Sequence, residues 1–211
     1  VEISLFLRKL LRANARSKSK TFIFASQPTH MLEANLEGLK KGFPAISKSI
    51  GQNLAEGAAY CLEMNGHASG IVLLVEGDFT EQIRLLWEEE VNDQVKRAWN
   101  ESIEATEFGA TAIALVILKQ MTDYTVIERS FTGTGFDYWL GTGEYNENLL
   151  PFEQRKARLE ISGIWRASGS NTIDARVQIK RKQLEQSGYT QLPGLIIVVE
   201  FSTPTAKFVI K

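Results

Sequence analysis

One cysteine and two histidines occur in 211 residues. A lone Cys61 excludes an intrachain disulfide and a CxxC zinc site, and it fits a reducing compartment, so the expected location is cytoplasmic. His30 and His67 have too few partners for zinc. Cys61 and His67 also lack the third, orienting group that a Cys–His nucleophile pair needs, and Cys61 falls in an apolar helical stretch. A packed thiol is the expectation there. The longest apolar run, ATAIALVIL at 110–118, is about half of a membrane span. No membrane association is expected, and no signal peptide, because no uninterrupted apolar region with a small-residue cleavage site follows the first residues. Charge of one sign is missing too: 24 basic residues face 25 acidic ones, a net charge of −1. There is no global basic field for nucleic acid, so any such binding needs a local patch. Internal repeats and low-complexity segments are absent.

What is present is core material, with 44% apolar residues, and a pattern that alternates between helical and strand periods. Residues 1–16 read as a helix with Leu5, Leu7, Leu10 and Leu11 near one face, and TFIFA at 21–25 as a short strand. Helices follow from Pro28 to about Gly42 and from Ser47 to Met64, then a buried strand, IVLLVEG. Thr80 opens a helical region carrying Ile83, Leu86 and Trp87, running through Trp99 to Gln120 with a bend near Asn100 or Gly109. Beyond it lie three strands: YTVIERS at 124–130, FDYWLG after a TGTG hairpin turn, and KARLEISGIW. A helix over 171–187 with Asn171 as N-cap and a last strand, LIIVVEFS, complete the chain. The fold class expected is α/β: an α-rich region at 1–97 with one or two strands, then an α-β-β-β-α-β core with a mixed sheet at 98–211.

Three carboxylates mark this second half. On the third strand Arg158, Glu160 and Ser162 share one face, with Leu159 and Ile161 on the other. On the second strand Asp137 and Trp139 share a face opposite Phe136, Tyr138 and Leu140. Carboxylates from two adjacent strands meet at one point only if both face the same side. Mg²⁺ needs few of them, because it keeps waters and takes up substrate phosphate. The bland readings are a turn acid at Asp137 after TGTG, and a Glu160 paired with Arg158 or Arg176.

This order of elements, with Asp137 in GTGFDYWLG and Glu160 in ARLEISG, resembles the core of the PD-(D/E)XK superfamily of restriction-endonuclease-like enzymes over roughly residues 98–202. The resemblance implies Asp137 and Glu160 as ligands of Mg²⁺ or Mn²⁺, with Glu107 or Glu104 as the helix acid that many members add. The family's proline before the Asp is Phe136 here, and its E-x-K lysine is Ser162. Some members carry the basic group on the second helix. Here Lys180 falls on the apolar stripe of Ile173, Val177 and Leu184. It either turns inward to a carboxylate on the sheet, or snorkels past the stripe to water. Arg158, Arg176, Arg181 and Lys182 are the candidate nucleic-acid contacts, with solvated helix charge as the alternative.

The function implied is a Mg²⁺-dependent nuclease acting on DNA in bacterial or phage defence or in DNA processing, with Asp137, Glu160 and Lys180 catalytic. A protein partner or a homodimer is implied, since one site cuts one strand. The alternative is a catalytically inactive nuclease-fold module, a binding or assembly subunit of a larger complex, which Ser162 and the near-zero net charge favour. A small-molecule enzyme on an unrelated α/β sheet has no specific site to support it.

Overall fold

A computed structural model describes residues 31–211. The helix expected at 1–16, the strand at 21–25 and the basic patch from Arg8 to Lys20 lie outside the described residues. The described part has four α-helices and eight strands. They are β1 (Leu32–Asn35), α1 (Lys48–Met64), β2 (Ile71–Gly77), β3 (Glu81–Leu86), α2 (Asp93–Ala98), α3 (Ser102–Met121), β4 (Tyr124–Arg129), β5 (Tyr138–Thr142), β6 (Ala157–Ile164), α4 (Ile173–Glu185), β7 (Gly194–Glu200) and β8 (Thr205–Ile210). The class is α/β, and all eight strands form one mixed sheet in the order β1-β3-β2-β8-β7-β6-β5-β4.

The segment α3-β4-β5-β6-α4-β7 has the α-β-β-β-α-β order read from the sequence. β4, β5 and β6 pair antiparallel, and β6 pairs parallel with β7 after the α4 crossover. The boundary expected near residue 97 is not where the fold divides. β8 carries the sheet on to β2, β3 and β1, so residues 31–97 contribute three strands to the same sheet and one compact unit spans Met31–Lys211.

The helix expected from Thr80 is strand β3. Ile83 and Leu85 are buried while Gln82 and Arg84 are exposed, a period of two that pairing with β2 rewards. Here helix begins only at Asn92 and restarts after Trp99: Asn92 caps α2 through the Gln94 and Val95 amides, and Glu101 caps α3 through the Ile103 amide. Between Pro28 and Gly42 the described residues form β1 and a 3₁₀ turn, Leu36–Lys41, instead of an α-helix.

The two faces of the sheet are covered differently. α1 and α3 lie on one face over Tyr138, Leu140, Leu159, Ile161, Leu195, Ile197 and Val199. Small residues let these two helices approach: a Cβ on Gly57 would stand 3.1 Å from Phe108 Cβ, and one on Gly109 would stand 3.1 Å from Cys61 Sγ. α4 covers the other face, with Val177 and Leu184 packed on Trp139, Ile196 and Val198. The hairpin turn before β5 reaches this helix. Gly135 adopts φ +84°, and a Cβ there would fall 2.2 Å from the Gln183 carbonyl, so only glycine fits.

Candidate active site

β5 begins later than its neighbour needs. Asp137 sits just before it, and the Asp137 amide donates to the Leu159 carbonyl at 2.8 Å. One ladder step further, the Asp137 carboxylate replaces a backbone partner: its Oδ2 accepts from the Ile161 amide at 2.7 Å. Beyond this point β6 continues without β5 beside it. The widening gap is a cleft of about 540 Å³, walled by the first turns of α3, the end of β4, Asp137, the end of β6 and α4.

Glu160 lies beside Asp137 on the α4 side of β6. It is 1% exposed. Lys180 reaches in from α4, and its ammonium donates to Glu160 Oε1 at 2.5 Å and to Gln183 Oε1 at 3.2 Å. The inward alternative for Lys180 is therefore the one adopted. The other oxygen, Glu160 Oε2, is buried and receives no donor. Burial first, and then the negative Asp137 in contact with it, push the Glu160 carboxyl up to about 8, against the opposing pull of Lys180. The upward direction follows from the geometry: one lysine satisfies one oxygen, and the second is left desolvated next to a like charge.

The other sequence candidates divide. Glu107, Ser162 and Arg176 line the same cleft. Glu107 does not close a three-acid cluster: among the described residues no group of three or more His, Cys, Asp or Glu side chains is placed to hold a metal ion. Glu104 is exposed on α3 and does not line the cleft. Arg158 is a correction. It is 6% exposed, and its guanidinium donates to the carbonyls of Leu184 and Leu192 and to Ser187 Oγ. It ties the end of α4 to the loop before β7 and is not free to meet a phosphate. Arg181 and Lys182 are not among the residues that line the cleft, Lys182 being exposed. Asn171 does not cap α4: Thr172 does, through the Ala175 amide at 3.2 Å. Asn171 Oδ1 accepts instead from Arg176 at 2.7 Å.

Arg129 is the residue the sequence reading missed. It ends β4, opposite Tyr138 and so next to Asp137, and it lines the cleft. The signal was its place as the last paired residue of YTVIERS, where an antiparallel hairpin brings it back to the site.

Cys61 and His67 are each held by a backbone carbonyl. Cys61 is buried, its thiol donates to the Ala105 carbonyl at 3.1 Å, and burial raises its pKa far above the ordinary thiol range. His67 Nε2 is held at 3.0 Å from the Phe201 carbonyl.

Asp137 and Glu160 fit a small, hard cation. Mg²⁺ is commonly held by one or two carboxylates, with waters and substrate phosphate completing its shell. The unpartnered Glu160 oxygen beside a second carboxylate is the arrangement that a cation would relieve. Comparison of the chain with family models, with curated proteins and with solved structures finds no match.

Proposed function

We propose that this protein is a Mg²⁺- or Mn²⁺-dependent nuclease acting on DNA, with a restriction-endonuclease-like core formed by residues 98–211. One observation carries the reading. Asp137 from the edge of β5, Glu160 from β6 and Lys180 from α4 meet at one point beside an open cleft. In the PD-(D/E)XK resemblance the lysine follows the Glu by two residues. Here Ser162 takes that position and Lys180 supplies the ammonium from the neighbouring helix.

Asp137 and Glu160 would hold the cation. When bound, it would polarise the phosphoryl oxygen and lower the pKa of a bound water. The Ile161 amide fixes the Asp137 carboxylate, so its orientation is set before any ligand arrives. Lys180 orients Glu160 through Oε1, and Oε2, which receives no donor, would be the oxygen offered to the cation. The same ammonium would offset phosphate charge. Glu107, on the α3 wall, is the auxiliary acid that orients water.

A single such site hydrolyses one strand, so cutting a duplex would take a homodimer or a protein partner. The setting proposed is bacterial or phage defence or DNA processing. The second reading, a non-catalytic binding or assembly module, draws on the deep burial of Glu160 and on Ser162. The deciding assay is cleavage of supercoiled and single-stranded circular DNA with Mg²⁺ or Mn²⁺, native chain against Asp137→Asn. Cleavage by the native chain alone is the expected result. No cleavage by either would leave the non-catalytic module standing.

A further inference from the structure

We propose that Arg129 and Arg176 form a phosphate clamp beside the carboxylate pair, and that the chain they hold is single-stranded nucleic acid. This deepens the nuclease reading of the same cleft and rests on it for the chemistry, though not for the binding.

Several basic groups on the α4 side of the molecule are neutralised: Lys207 pairs with Asp174, Lys211 with Glu185 at 2.7 Å, Arg155 with Glu128, and Lys180, within the cleft, with Glu160. The two arginines that line the cleft make no carboxylate pair among the described residues. Arg176 meets only the neutral amide of Asn171, at 2.7 Å, which leaves the rest of its fork open. A guanidinium fork matches a phosphate bidentately and stays charged at every working pH. Between the two lies the open edge of β6. The Arg158 amide and the Ile164 carbonyl both turn toward β7 and its flanks, and the Ile161 amide turns toward Asp137. Alternation therefore directs the Gly163 amide to the cleft, where it is a third donor. Packing of α3 holds this position to glycine: a Cβ there would fall 2.5 Å from Thr106 Cγ2.

The charge count selects one strand over two. Duplex-binding proteins commonly make about 6–10 phosphate contacts. The cleft offers two unneutralised arginines, and the chain carries a net charge of −1, so among the described residues the cleft does not provide that many contacts. Exposed apolar side chains supply what unpaired bases need. Ile103, which lines the cleft, is 70% exposed, and Phe131, in the loop that joins Arg129 to Asp137, is 79% exposed. An exposed aromatic beside a short cationic track is a stacking platform for unpaired bases.

The test is fluorescence anisotropy with a labelled DNA single strand, the RNA of the same sequence and the matching DNA duplex. The full-length Asp137→Asn chain is used in EDTA, so that nothing is cut, over a range of salt. Arg129→Ala, Arg176→Ala and Arg176→Lys are added to that background, with melting temperatures to confirm that each is folded. Single strands are expected to bind at least about tenfold tighter than the duplex, given the few contacts available. Each Arg→Ala change should make the slope of log K against log salt shallower by about 0.7, the value of one phosphate contact on a single strand. Arg176→Lys should restore that slope. The DNA and RNA arms show which sugar the cleft takes. A duplex bound as tightly as the single strand, no binding at all, or slopes unchanged in both alanine variants would overturn the proposal. If the native chain fails to cleave but these slopes appear, the clamp stands and the catalytic reading falls. If it cleaves and the slopes are unmoved, the reverse holds.

Discussion

The two faces of strand β6 solve opposite problems. Toward α1 and α3 it presents Leu159 and Ile161, and the surrounding residues form a continuous apolar core. Toward α4 it presents Arg158 and Glu160, both ionisable and both buried. An apolar face stabilises the fold by burial alone. A buried charge stabilises nothing unless its partners restore what water gave it. Arg158 receives three acceptors, at Leu184, Ser187 and Leu192, and so works as a structural tie. Glu160, two residues along the same face, receives one lysine and keeps an unpartnered oxygen beside Asp137. Of two charges in nearly the same setting, the fold has met most of the needs of one and left the other short. That shortfall is what makes Glu160 the functional candidate.

Substitutions on either face should separate these roles. The largest effect is expected from Asp137→Asn: cleavage should fall by more than about 100-fold, beyond the loss typical of a supporting residue, while the Ile161 amide keeps an oxygen to donate to. Leu159→Ala, on the apolar face, should lower stability by about 2–5 kcal/mol in a denaturant titration and leave cation affinity unchanged. Lys180→Met should cost about 10–100-fold in metal affinity or activity, as loss of a group that orients a ligand does; Lys180→Arg should recover part of it. Lys182→Ala, on exposed helix surface, should change stability by less than about 0.5 kcal/mol. A shared response of Leu159→Ala and Asp137→Asn in cation affinity would erase the contrast between the faces.

The pH dependence of the metal-free protein sharpens the same contrast. The folded Glu160 carboxyl holds its proton up to about 8, well above an ordinary carboxylate. Its contribution to stability is therefore fully present below the unfolded carboxylate range and is lost as pH rises toward about 8. Thermal unfolding should show the melting temperature declining over that window, and Glu160→Gln should flatten the decline. An unchanged profile in the variant would mean that Glu160 is not the group responsible.

The second half of the fold was legible because its strands announce themselves by alternation and its helices by period. Asp137 and Glu160 were legible as a pair for the same reason, since strand alternation puts each on the α4 face. The stripe of Val177 and Leu184 left Lys180 two outcomes, inward to a carboxylate or past the stripe to water, and the buried Glu160 carboxylate selects the first. Three things were not legible. At Glu81–Leu86 a capping pattern and a scatter of apolar residues imitate a helix, and only pairing with β2 selects the strand. Arg158 shares its face with Glu160, so spacing alone could not tell a buried tie from a phosphate contact; that depends on where the loop before β7 closes over it. Arg129 joins the site through hairpin register, a property of the pairing between β4 and β5 that neither strand carries alone.

The central claim is that Asp137 and Glu160 together hold a divalent cation. Calorimetric titration of Mn²⁺ into the native chain, Glu160→Gln and Asp137→Asn tests it without relying on any substrate. The account predicts a saturable site in the native chain, weakened at least about tenfold in each variant. Equal Mn²⁺ affinity in all three proteins would contradict it.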